Sequence, residues 1–175
     1  KNIKPLSCLV IMPTQTPYQQ EESTALIQDD LQAGVEFLDR LLPRESQKSK
    51  VLRILETSQL RPSGNVATGK ASLREIGEKS GCNTIMITTL SHFRERQGGE
   101  LAVDSPASAA FEIQLIAADS GHSLWMTNFN ETQSSLMENL FSFSKAKSRG
   151  FKWITVKELA TQGLREKLIE CPYLY

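Results

Sequence analysis

Charge of one sign is what the chain has least of: 20 Lys and Arg balance 20 Asp and Glu, so the formal net charge is zero. Such a chain has no global field to draw in nucleic acid or an anionic membrane, and nucleic acid is not an expected partner. Histidine and cysteine are scarce, at 2 and 3 residues. Neither CxxC nor HExxH occurs, no Cys/His cluster has the spacing of a zinc site, and GxSxG is absent. No metal, no catalytic constellation and no cofactor is therefore expected. Long apolar runs are missing too, since none approaches the roughly 20 residues that span a bilayer. The three cysteines allow at most one disulfide within a monomer. Cys8, inside an apolar run, reads as a packed thiol, because free cysteine behaves as a small hydrophobe.

What is present is a sequence of regular elements in one full-sized unit, residues 1–175 reading as a single α/β domain. Leu6 to Met12 (LSCLVIM) is a near-continuous apolar run, the pattern of a central strand buried on both faces. Leu26, Ile27, Leu31, Val35, Leu38 and Leu42 then recur at helical spacing, with Pro43 predicted to stop the helix. Val51 to Leu55 reads as a short strand. Ser72 and Glu75 form a capping box before a short helix ended by Gly81, and Thr84 to Leu90 is a third strand extended by the polar SHFRER. Strand, helix, strand, helix, strand with right-handed crossovers builds a parallel sheet.

The densest information lies in Pro106 to Phe143, where two strand-like runs flank the turn Asp119-Ser120-Gly121-His122. Pairing Ala118 with Ser123 puts Ile113, Leu115, Leu124 and Met126 on one face and Ile116, Trp125 and Phe129 on the other. Both faces carry large apolar groups, which predicts helices on both sides of the sheet and Trp125 under one of them. Asn130 with Gln133 is predicted to cap a helix carrying Leu136, Met137, Leu140 and Phe141, and Thr155 with Glu158 to cap a last one. Residues 131–175 are thus expected to be a C-terminal helical segment packed on the sheet.

Three patterns invite a chemical reading. Gly64-Asn65-Val66-Ala67-Thr68-Gly69-Lys70 matches the GxxxxGK core of a phosphate-binding loop, whose amides and lysine cradle phosphates. Ala71 stands where a Ser or Thr would hold magnesium, and Arg61-Pro62-Ser63 separates the motif from a leading strand. It reads as a Gly-containing connection, and a nucleotide-binding enzyme using Gly64, Gly69 and Lys70 is the alternative. His92 and His122 lie at a strand end and in a tight turn, where neither has triad or metal partners. Arg94 and Arg96, beside Gln97-Gly98-Gly99, read as an exposed strand extension that an acidic partner or RNA could contact.

The order of elements, with SGCNTIMITTL and the hairpin from Pro106 to Phe129, resembles a group of bacterial envelope proteins. The group holds the curli-secretion lipoprotein, lipoprotein activators of penicillin-binding proteins and the N-terminal domain of TolB. The nearer resemblance is to small lipoproteins of unknown function whose last third reads like FEIQLIAADSGHSLWMTNFNETQSSLMENL. It covers most of the chain and implies a three-layer α/β fold: a mixed five-stranded sheet of order 2-1-3-4-5, strand 4 antiparallel, flanked by helices. It also implies a lipidated cysteine upstream of Lys1, a location facing the periplasm, and a non-enzymatic role through contact with another envelope protein, a homo-oligomer being left open. Arg94, Arg96, Trp125 and Phe129 are the residues proposed for that contact.

Overall fold

The computed structural model describes residues 6–17, 25–49, 53–56, 70–99, 101, 103–133 and 153–175. The strands are β1 (Leu9–Ile11), β2 (Ile54–Glu56), β3 (Thr84–Arg94), β4 (Gln97–Gly98), β5 (Val103–Ser105), β6 (Ser108–Ala117) and β7 (Ser123–Thr132). The described helices are α1 (Ala25–Ser46), α2 (Lys70–Ser80) and α3 (Val156–Ile169). Five strands form one sheet in the order β2-β1-β3-β6-β7. β1 pairs in parallel with β2 and β3, and β6 runs antiparallel to both β3 and β7. This is the expected order, β6 and β7 being its fourth and fifth strands. β4 and β5 add a small two-stranded ribbon beyond the polar extension SHFRER, where no strand is predicted from sequence.

Alternation along β1 and β3 gives each strand two apolar faces. Leu9, Ile11, Met86 and Leu90 join Phe111, Ile113 and Leu115 of β6 under α1 and α3, which contribute Leu38, Leu42, Leu159, Leu164 and Leu168. On the other face Val10, Met12, Ile85, Ile87 and Ile116 meet Leu73 and Ile76 of α2. The central place expected for the first strand follows, because every residue of β1 is buried. No described helix is long and apolar enough to cross a membrane.

Three local expectations are corrected. α1 does not stop at Pro43: the Gln47 N–H donates to the Pro43 carbonyl at 3.0 Å, closing a turn beyond it. Proline removes a single backbone donor, and the last turn is held from outside. The Glu45 carboxylate, 6% exposed, accepts from Arg165 Nε and Nη2 at 3.0 and 2.9 Å and from Lys48 Nζ at 2.7 Å. Ser72 is not an N-cap, because α2 already begins at Lys70, and Glu75 is drawn to Lys79 at 2.6 Å instead of back to Ser72. Asn130 caps no helix either. β7 continues through it to Thr132, and the buried Gln133 side chain accepts from the Ile154 N–H at 2.9 Å. The predicted helix over Leu136 to Phe141 lies outside the described residues. The capping box at α3 is present as expected, Thr155 Oγ1 accepting from the Glu158 N–H at 3.2 Å and Glu158 Oε2 from the Thr155 N–H at 2.8 Å.

Cys8 is not a free packed thiol but is bonded to Cys82, with Cα atoms 4.7 Å apart. The parallel register explains why: Leu9 pairs with Thr84, so the residues just ahead of the two strands are brought side by side. Cys171 is the buried free thiol, and burial pushes its pKa up, away from the reactive thiolate.

Candidate interaction surface

The β6–β7 hairpin turns as the sequence indicates, with Gly121 at φ 70° and its N–H donating to the Ala117 carbonyl at 2.8 Å. The register differs from the expected one. Ile116 opposes Ser123 and Leu115 opposes Trp125, with Leu124 the extra residue between them. A bulge of one residue exchanges the two faces of everything beyond it. Trp125 therefore stands on the same face as Leu115 and Phe129, not opposite Ile116, and Met126 takes the other face. A second bulge in β3, at Ser91, is what returns Phe93 to the α1 side after Leu90.

The sequence-predicted contact residues scatter. Phe129 is 6% exposed and stacks on Phe111 with ring centroids 5.0 Å apart, beneath α3. Trp125 is half-buried and packs on that same core. Arg94 is exposed at the far end of β3, level with Thr132 through Ser108. Trp125 lies seven residues back along β7, roughly 23 Å away at strand rise. Arg96 is half-buried, and its guanidinium donates to the Trp153 carbonyl. That bond fixes the start of α3, where Glu95 also accepts from the Val156 N–H at 3.1 Å. His92 is likewise engaged, its Nε2 2.6 Å from Ser108 Oγ, and desolvation with Arg94 nearby lowers its pKa. Gly64 and Gly69 of the phosphate-loop match lie outside the described residues, and of Lys70 only the place at the head of α2 is described.

What sequence reasoning missed is the side of the hairpin that α2 leaves open. α2 lies over β1 and the start of β3. Beyond it, Thr89, Glu112, Gln114, Met126, Asn128 and Asn130 share a face that no described helix covers. Met126 is 54% exposed there among polar neighbours, and a groove of ≈ 380 Å³ runs along Thr89, Ser91, Glu112, Asn128 and Asn130. The only sequence signal for it is the polar run Asn128, Asn130, Thr132 on alternate positions of one strand. A larger open cleft of ≈ 920 Å³ sits at the turn end of the sheet, lined among others by Leu6, Arg74, Glu78, Cys82, Asp119 and Tyr173. Arg74 and Glu78 in it are paired with each other at 3.0 Å. Among the described residues no group of three or more His, Cys, Asp or Glu converges as a metal site.

No protein-family model and no curated protein matches this sequence. Solved structures do match. The PelC dodecamer from Paraburkholderia phytofirmans superposes with a TM-score of 0.53 at 11% identity, over 93% of this chain and 84% of that one. The hypothetical protein CT253 from Chlamydia trachomatis gives 0.51 at 14% identity, over 91% and 92%. The C-terminal domain of LpoB from Escherichia coli gives 0.43 at 13% identity, over 76% and 87%. The chain thus has the fold of PelC and of CT253, a three-layer α/β arrangement around the sheet β2-β1-β3-β6-β7.

Proposed function

We propose that residues 1–175 form one non-catalytic domain of a bacterial envelope lipoprotein, facing the periplasm from an upstream lipid anchor and binding another protein through the β6–β7 hairpin. The observation that carries this reading is the hairpin's open face, ten-residue strands presenting Met126 at 54% exposure beside Glu112, Gln114, Asn128 and Asn130. Described helices cover both sides of the sheet at β1 and the start of β3, so a stretch that no described helix covers is a place where a partner can complete the layer. The Cys8–Cys82 bond supports the compartment, since structural disulfides belong to oxidising spaces such as the periplasm. The fold shared with PelC supports the manner of action, PelC being an assembly of twelve chains.

The test is site-specific photocrosslinking in the native host, with the probe at Met126 or Asn128 and, as control, at Lys79 on the outer side of α2. Protein adducts from the hairpin positions and none from Lys79, in a membrane fraction where Cys8 and Cys82 are oxidised, are expected. A reduced protein in the soluble cytosolic fraction, or a hairpin that yields no adduct, overturns the reading.

A further inference from the structure

We propose that β7 pairs edge to edge and antiparallel with β7 of a second copy of this chain, so that two five-stranded sheets join across a two-fold axis. This rests on the reading of the hairpin as the contact region and places a second copy at its strand edge, beside the open face.

The sheet has two edges of opposite character. β2 is three residues long, and brevity is one of the ways natural sheets blunt an edge. β7 is ten residues long, and no described strand pairs with its outer side. Within the strand itself the compositional defences are lacking as well: Ser123 to Thr132 holds no Lys, Arg or Pro, and its sole ionisable residue is Glu131 near the end. The bulge at Leu124 leaves Trp125 to Thr132 in one continuous register with β6.

The ladder says which groups face outward. The Gln133 N–H donates to the Ala107 carbonyl at 3.0 Å, one step beyond the Ser108–Thr132 pair. Antiparallel ladders alternate, so Trp125, Thr127, Phe129 and Glu131 direct their backbone groups to β6. Met126, Asn128 and Asn130 direct theirs away from it. These three also carry side chains on the open face. A two-fold centred on Asn128 sets Asn128 against its own copy and Met126 against Asn130, forming about six main-chain hydrogen bonds. No like charges oppose one another in that register, which is the usual obstacle to self-pairing of an edge. On the opposite face of the sheet, Thr127 of each copy comes opposite Phe129 of the other, and Trp125 opposite Glu131.

Sedimentation equilibrium of the purified chain up to millimolar concentration tests this against Asn128→Pro. The Asn128 N–H is not used by β6, so proline there leaves the fold's own ladder intact while blocking the outer one. The wild type is expected to reach twice the chain mass, and the variant to remain at the chain mass with an unchanged circular dichroism spectrum. A wild type that stays monomeric, or a folded Asn128→Pro that still dimerises, overturns the proposal. Should Asn128→Pro not fold, Asn128→Lys sets two cations across the axis: a monomer supports the pairing and a dimer refutes it. Photocrosslinks from Asn128 to another protein by a strictly monomeric chain would sink the second copy and leave the proposed function standing; no crosslinks at all would sink both.

Discussion

Gly163 of α3 lies so close to the sheet that a Cβ there would stand 2.4 Å from Phe129 Cε2, and Gly34 of α1 is in the same position with a Cβ 2.6 Å from Leu90 Cδ2. Each helix is let down onto the sheet by a missing side chain. Gly163→Ala forces the stacked Phe111–Phe129 pair to move and is expected to cost about 1–3 kcal/mol, as overpacking does, read as a lower urea midpoint at unchanged slope. Trp125→Ala, at a half-buried position, is expected to cost about 1–3 kcal/mol, below the full core value. Glu45 gives a pH signature. Arg165, before Lys48, holds its pKa down from 4.5 to about 2 against the opposing effect of burial. A depressed carboxylate stabilises the fold above its unfolded pKa and loses that contribution as pH falls, here between 4.5 and about 2. Arg165→Ala should therefore cost about 2 kcal/mol at neutral pH, with Arg165 half in solvent moderating the loss. Its stability should also fall less steeply than wild type across that acid window in urea titrations. The aromatic and apolar positions of the hairpin are visible in sequence. Which face each occupies is not, because one bulged residue at Leu124 reverses the parity and no residue type announces it.

At the scale of elements, the start of α3 is set by local chemistry and shows in the sequence, whereas the local box at Ser72 and Glu75 does not mark the start of α2, which begins at Lys70. The Thr155–Glu158 box is a reciprocal pair of bonds within four residues, and Thr155→Ala is expected to lower stability by about 1 kcal/mol in thermal or urea unfolding, since one orphan amide of α3 loses its acceptor. The Glu158 carboxyl lies below its usual range because the Thr155 backbone and hydroxyl both donate to it. Boundaries set by distant residues read wrongly. Pro43 looks like a stop until Arg165, 120 residues beyond Glu45, is seen to hold the turn that follows it. Asn130 looks like a cap until β6 is seen to pair with it through Ala110. Local signals lose in both places to contacts made by folding, which a window of a few residues does not contain.

At the scale of the molecule, apolar patterning places β1 inside the sheet, since a strand apolar on both faces belongs in the middle, while the full strand order is what the family resemblance implies. The covalent bond that ties β1 to β3 is a different matter. Three cysteines at wide spacing fit three pairings or none, and an apolar neighbourhood suits a free thiol as well as a half-cystine. Only the register, with Leu9 beside Thr84, brings Cys8 and Cys82 together. The bond spans a sequence separation of 74 that contains β1, α1, β2 and α2, and so closes them into one loop that ends just ahead of β3. In the chain-entropy description a loop of that length stabilises by about 4 kcal/mol, a large share of a typical domain's total. Both half-cystines are 4% exposed, so a mild reductant should leave the native bond intact and cleave it only when the fold opens. The Cys8→Ser, Cys82→Ser double variant is expected to lower the unfolding free energy by about 4 kcal/mol. The antiparallel β6–β7 ladder, which lies outside the loop, should be less affected. Hydrogen exchange by mass spectrometry checks the distribution: protection should fall most over α2 and the β1–β3 pair and least over Phe111 to Trp125. A uniform loss across all strands would show that the bond holds the molecule as one cooperative unit instead of its parallel half.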